Sequence, residues 1–307
     1  MKCIVTGGAG FIGSNLALYL EQEAHEVIVI DDFSSGHADN LKNFKGEVIE
    51  ADVAGFNFAS RFKTCDAVFH QAAITDTTVT DEKKMFRANV DGFRNLLDFA
   101  SHLGARVVYA SSAAVYGKGP SPMRESQTAA PANCYGVSKA KMDEVAREAA
   151  GIKKVPALVG LRYFNVFGPN EMYKGHAASM IHQLARQMRS GKRPRIFKYG
   201  EQKRDFVYVK DVLRANLLAY ASGKSGIVNV GTGKATSFND VVRILNEALG
   251  TSNAPDYFDN PYAFYQDHTE ADLSLAEALI GYRPQYTTEE GIRDYLADTR
   301  TAKSKNQ

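Results

Sequence analysis

Two residues in the stretch "NCYGVSKAKMDEVAREAA" are placed to handle a proton together: Tyr135 and Lys139 stand at i and i+4 near the start of a helical pattern. That spacing puts both side chains on one helix face. A nearby ammonium lowers a phenol's pKa, so the tyrosine is expected to exchange a proton with a substrate hydroxyl near working pH. Upstream, "VVYASSAAVYG" reads as a strand ending in Ser111 and Ser112, where a hydroxyl can hold the same substrate oxygen. A Tyr-x-x-x-Lys pair alone is common; its weight comes from the strand before it and from a glycine loop near the N-terminus.

That loop lies in "CIVTGGAGFIGSNLALYL", with Gly7, Gly10 and Gly13 between a predicted strand and a predicted helix. The spacing allows a tight turn, close approach of backbone to a pyrophosphate and close helix packing, with the helix N-terminus facing the negative charge. The second predicted strand ends in "VIVIDDFSSG", where Asp31 can accept hydrogen bonds from an adenosine ribose. A 2′-phosphate would meet Asp31 and Asp32, and the first basic side chain downstream is Lys42. NAD is therefore favoured over NADP.

The elements that must carry these residues are legible as a rhythm. The runs "KCIVT", "EVIVID", "EVIE", "DAVFH", "RVVYA" and "PALVGLRYF" read as buried strands with helices between most of them. Such an order predicts a doubly wound α/β fold with a parallel sheet. After Gly168-Pro169 the reading is one helix over about 175–191, a strand in "PRIFKYG", "RDFVYVKDV" leading into a helix, and a strand in "GIVNVG". A further helix in "SFNDVVRILNEALG" has Ser237 as N-cap and Gly250 beyond its end. Residues 251–307 lack the rhythm and are expected to join about 168–206 in a smaller substrate-binding domain over the sheet's C-terminal edge. The dinucleotide domain takes 1–167 and about 207–250. The tail "TAKSKNQ" is expected to be disordered.

Composition narrows the class. A net charge of +2, from 37 basic and 35 acidic residues, offers no strong field for nucleic acid or a membrane surface. No apolar run approaches a membrane span and no leader pattern is present, so a cytoplasmic location is expected. Cys3, Cys65 and Cys134 form no zinc or disulfide pattern and read as free thiols, Cys134 as a small buried hydrophobe; no metal site is expected.

The stretches "TGGAGFIG", "VFHQAA", "VVYASSAAVYG", "YGVSK", "LRYFNVFGP", "RDFVYVKDV", "VNVGTG" and "LIGYRP" resemble the extended short-chain dehydrogenase/reductases, the nucleotide-sugar epimerases and dehydratases, over nearly the whole chain. The resemblance implies a Rossmann-type domain, a nucleotide-sugar substrate and a homo-oligomer. It makes Ser112, Tyr135 and Lys139 the catalytic trio, Lys139 also holding the nicotinamide ribose. Phe11, Ile12, Asp31, Gln71, Ala72, Ala73, Asn89 and Val166 would line the cofactor.

Dehydratases of this group carry an Asp-Glu pair after the serine or threonine; here Ala113 and Ala114 follow Ser112, which leaves epimerisation or simple oxidoreduction. "AAITDTTVTD", "YFNVFGPNEMYKGHAASM", "FKYGEQKRDFVYV" and "YQDHTEADL" are more similar to the ADP-L-glycero-D-manno-heptose 6-epimerases than to the UDP-hexose 4-epimerases. That likeness makes Lys174, otherwise readable as a surface charge, a second acid/base. It places Asn165, His176, Phe197, Arg204 and Tyr265 on the nucleotide sugar. The alternatives are a UDP-hexose 4-epimerase and a non-catalytic NAD-binding protein.

Two departures stand out. The heptose family commonly uses NADP, with Asn and Lys where this chain has Asp32 and Ala38. Gln183 stands in place of a usual histidine, beside His182, and the loop after Phe197 is one residue shorter.

Overall fold

The computed structural model describes residues 1–261 and 266–304, with side chains through residue 298. Its centre is a seven-stranded parallel sheet: β1 (Lys2–Thr6), β2 (Glu26–Asp31), β3 (Glu47–Glu50), β4 (Ala67–His70), β5 (Arg106–Ser112), β6 (Leu158–Tyr163) and β7 (Gly226–Val230). The spatial order is β7-β6-β5-β4-β1-β2-β3. Reversal of order at β1/β4 opens a crevice at the strands' carboxyl ends, where such sheets bind ligands. Interior strands such as β6 are buried at every residue, which is why they read as unbroken apolar runs, while edge strand β3 is mostly exposed.

Helices cover both faces. On one, α1 (Phe11–Gln22) buries Leu16 and Leu20 in a cluster with Val5, Val29 and Phe69. On the other, α2 (Gly92–Leu103) and α3 (Cys134–Gly151) bury Phe93, Leu97, Met142 and Val145 against Ile4, Val68 and Tyr109. The strands thus fill two apolar layers, the doubly wound arrangement expected from the sequence.

Beyond β6 the pattern loosens. A short strand, Asn165–Phe167, pairs in parallel with Phe206–Tyr208. The helix expected over about 175–191 is broken. A tight helical turn, Met172–Ala177, is interrupted at Gly175 (φ 57°), and only after extended Ala178 does α4 (Met180–Arg189) begin. The Ser179 hydroxyl caps α4 by accepting from the His182 N–H at 3.1 Å. Two more helices follow, α5 (Val209–Ser222) and α6 (Phe238–Leu249). For α6, Ser237 accepts from the Asp240 N–H and Gly250 takes the left-handed conformation, as its sequence foretells.

The stretch without visible rhythm nevertheless forms α7 (Ser274–Ile280) and α8 (Thr288–Ser304). Ala276 and Ile280 share an apolar cluster with Val228 of β7 and Ala215 of α5, and Ile292 and Leu296 share it with Val241, Leu245 and Phe206. Thr301–Ser304, expected to be disordered, continue α8. Among the described residues no helix is long and apolar enough to cross a membrane, and no three His, Cys, Asp or Glu side chains gather as a metal site.

Beneath α3 lies an ion pair out of water. Asp143 and Arg162 are both almost fully buried, with a guanidinium nitrogen 2.8 Å from the carboxylate. Tyr109 donates to the same carboxylate at 2.8 Å, and the guanidinium lies over the Tyr116 ring at 4.8 Å. Removing one member strands the other charge, which typically costs about 3–5 kcal/mol. Asp143→Ala should therefore destabilise the protein by about that amount, measured as the loss in urea unfolding free energy.

Candidate active site

The glycine loop sits at the carboxyl end of β1. Gly7 has φ +67°, and a Cβ there would meet the Ala72 backbone nitrogen at 2.5 Å; one at Gly13 would meet the Gly7 carbonyl oxygen at 2.0 Å. These contacts explain the glycines without a ligand. Gly10 is the N-cap of α1 with no side-chain cap, so the first-turn N–H groups of a 12-residue helix point into the crevice. That donor set fits a pyrophosphate.

Asp31 is buried and works within the protein. One oxygen accepts from the Ala9 N–H and the other from the Phe33 N–H, both at 2.8 Å, while burial raises its pKa. Asp32 is exposed and closes a local turn, accepting from the Ser34 N–H and hydroxyl at 2.9 and 2.6 Å. Phe11 is buried, and Ile12 and Val166 are half-buried.

Gln71, Ala72 and Ala73 follow β4 and are half-buried. The Gln71 side chain donates to Asn216 at 3.1 Å and accepts from the Tyr163 hydroxyl at 3.2 Å, while its backbone N–H donates to the Thr6 carbonyl at 3.0 Å. Fully buried Asn89 accepts from the Ile74 N–H at 2.8 Å and donates to the Ser138 hydroxyl at 2.9 Å. It thereby joins the loop after β4 to α3. Asn89 sits in a widened helical turn, Arg87–Asp91, a local irregularity often found at functional sites.

Ser112, Tyr135 and Lys139 do come together. The Ser112 hydroxyl acts on the Tyr135 phenol, drawing its pKa down, and accepts from the Ala114 N–H at 3.1 Å. Lys139 is 1% exposed, and its Nζ donates to the Ala110 carbonyl at 2.7 Å, 5.9 Å from the Tyr135 ring centre. The electrostatics differ from expectation. Burial raises the Tyr135 pKa, which Ser112 only offsets in part, and Lys139 itself is brought down to about 7 by burial against a smaller upward pull from Asp143. Burial thus holds the phenol protonated, while the lysine directs its own hydrogen bond past it to a carbonyl.

Lys174 is half-buried, with its Nζ 5.7 Å from the Phe11 ring centre. Burial lowers its pKa while Glu171 raises it. Its turn is pinned on both flanks. Tyr173 stacks on His37 (centroids 3.7 Å apart, planes 2° apart) and donates to Asp39 at 2.7 Å, and His176 pairs with Asp76 at 3.1 Å. The Lys174 turn therefore bridges the loops after β2 and β4. Gln183 secures it from α4, donating to the His176 and Ala178 carbonyls at 3.1 and 2.8 Å.

The remaining sugar-side candidates lie farther along. Asn165 is exposed on its short strand. Phe197 meets Phe258 edge-on at 4.9 Å, and Arg204, 9% exposed, donates to the Lys203 carbonyl at 2.8 Å. Tyr265 lies outside the described residues. Cys134 is half-buried rather than a core thiol, since the helix start it occupies opens onto the surface; Cys3 and Cys65 are buried.

Sequence reasoning passed over several residues. His70, fully buried at the end of β4, bonds Thr6 at 2.8 Å and is pushed down to about 3 by burial and by Lys139. Asp143 is one helical turn beyond Lys139, and Glu171 directly follows the Gly168-Pro169-Asn170 turn. Asp205, fully buried, accepts from the Thr232, Gly233 and Ala271 N–H groups and holds the backbone beside Arg204. A polar residue inside an apolar run, as in "VFHQAA", is the available signal for His70.

The glycine loop and the Ser-Tyr-Lys cluster lie at the same carboxyl edge of a doubly wound parallel sheet. Residues 3–231 match the model of the NAD dependent epimerase/dehydratase family, and the chain belongs to that family. It is similar to the ADP-L-glycero-D-manno-heptose-6-epimerase of Helicobacter pylori, at 41% identity over 97% of this chain and 96% of that one, with a TM-score of 0.90. The UDP-N-acetylglucosamine 4-epimerase of Methanobrevibacter ruminantium is 30% identical over 98% of both chains, with a TM-score of 0.91. The UDP-glucose 4-epimerase of Thermotoga maritima is 29% identical over 98% of this chain and 99% of that one, with a TM-score of 0.90.

Two outcomes follow from the site's electrostatics and packing. The unfolded chain holds a proton on Lys139 up to its ordinary value of 10.5, the folded chain only up to about 7. Between those values the unfolded state binds more protons, so this lysine's cost to stability is full below pH 7 and fades as pH rises. Lys139→Met should raise the urea midpoint most below pH 7, with the gain shrinking toward pH 10. Tyr173→Ala, which removes the stack on His37, should speed amide hydrogen exchange across 172–177 by about tenfold or more while leaving β1 and β5 protected.

Proposed function

We propose that the chain is a nucleotide-sugar epimerase working with tightly held NAD, and that its substrate is an ADP-glycero-manno-heptose inverted at C6″. The observation that carries the heptose reading is Lys174: a half-buried ammonium held beside Phe11 of the glycine loop, an expensive position for a charge without a task. The higher identity to the heptose epimerase supports the same choice. NAD over NADP rests on Asp31 and Asp32, two carboxylates where a 2′-phosphate would sit.

Bound nicotinamide supplies a reversible hydride acceptor. Gly7, Gly10 and Gly13 with the N-terminus of α1 would hold its pyrophosphate, Asp31 its adenosine ribose, and Lys139 the other ribose through N–H groups not used on Ala110. Ser112 fixes the reacting sugar oxygen. Burial makes Tyr135 keep its proton and Lys174 give its proton up more readily than in water. The pair is thus divided into an acid and a base by environment. Lys174 would take the C6″ hydroxyl proton as that carbon is oxidised to the ketone, and once the ketone has turned Tyr135 would give its proton to the oxygen as the other face is reduced. Solvent then returns a proton to Tyr135 and removes one from Lys174, so neither proton nor hydride is consumed overall. Asn165, His176, Phe197, Arg204 and Tyr265 are assigned to the nucleotide sugar, Arg204 to its diphosphate.

The purified protein should release NAD on denaturation, identified by mass spectrometry, and should epimerise ADP-heptose without added nicotinamide. Lys174→Met should lower that rate by about a hundredfold or more. An unchanged rate, or turnover of UDP-glucose instead, would favour a UDP-hexose 4-epimerase.

A further inference from the structure

Glu171 is 0% exposed, and both of its oxygens are engaged. Oε1 accepts from the Gly168 N–H at 3.0 Å and Oε2 from the Ser179 N–H at 2.7 Å. Gly168 begins the loop that carries Lys174 and Ser179 ends it, so one carboxylate draws the two ends together. Between them the backbone makes a tight turn, with the Lys174 N–H donating to the Glu171 carbonyl at 3.0 Å. We propose that Glu171 is a positioning residue for Lys174: a buried carboxylate that clamps both ends of the turn and supplies the negative charge facing its ammonium.

This inference rests on the reading of Lys174 as a proton-transfer group. A carboxylate is costly to bury unless it is paired and hydrogen-bonded, and two backbone N–H groups can be satisfied by a neutral acceptor. Burial raises the Glu171 pKa, and its bonds from Gly168 and Ser179 together with Lys174 draw it back, while burial lowers the Lys174 pKa and Glu171 draws it up. The two groups, three residues apart on one turn, each favour the other's charged form.

Other titratable groups near the carboxylate come from the elements packed on it. Burial and the nearby Glu171 raise the pKa of Tyr295 of α8, which bonds His182 of α4 at 2.7 Å. Burial together with Arg186 and Arg189 lowers the His182 pKa, which favours its neutral form. On the turn itself, Tyr173 faces Asp39 and His176 faces Asp76. Lys174 is the cation whose charge acts on Glu171 from the same turn.

The test separates charge from architecture. Trace acetylation of the purified holoprotein with acetic anhydride, followed by peptide mass spectrometry across a pH series, reads the protonation midpoint of Lys174 directly. In Glu171→Gln the midpoint is expected to move to lower pH and kcat to fall by about tenfold to a hundredfold with little change in KM. Glu171→Asp keeps the charge one methylene farther back, and its midpoint should move the same way by less; it decides the matter if the glutamine variant does not fold. A purely structural role would lower the thermal midpoint and leave the Lys174 titration where it was, and that result in a folded variant overturns the proposal. If Lys174→Met retains full activity, the acid/base reading fails, while the acetylation midpoints still report whether Glu171 sets the charge on Lys174.

Discussion

A charge carried out of water must be answered by another within reach, and the arrangement of this active site follows from that constraint. Lys139 lies buried on α3 with Asp143 one turn further along the same helix. Lys174 has Glu171 three residues before it, at the root of its own turn. Each cation thus brings its counter-charge on the same short stretch of chain. Asp143 is itself locked by Arg162 and Tyr109, which extends the compensation from the helix into β5 and β6.

Much of this was legible in the residues. The strands of the sheet announce themselves because they are buried on both faces, and α6 carries its cap and its glycine stop in plain view. The Ser112, Tyr135 and Lys139 cluster follows from a strand end and a helical spacing. Local patterns of this kind are written within a few residues, and short windows recover them.

What escaped depends on contacts distant in sequence or on burial. The break at Gly175 is set by the docking of the Lys174 turn against His37 and Asp76, partners about a hundred residues or more away. Helices α7 and α8 gain their order by packing on β7, α5 and α6, so their own periodicity is weak. The direction of the Tyr135 shift went unread for a different reason. Spacing shows that a lysine is near a phenol, but only the fold shows that the lysine's hydrogen bond goes to Ala110 and that burial of the phenol outweighs the pull of Ser112.

Asp31 has a consequence for redesign. Proposed to read the adenosine ribose, it is at the same time a rivet between the glycine loop at Ala9 and the segment beginning at Phe33. A substitution there meant to admit a phosphorylated ribose would also unfasten the loop that cradles the pyrophosphate. Any exchange of cofactor preference in this scaffold needs a second change, one that rebuilds the two lost backbone anchors.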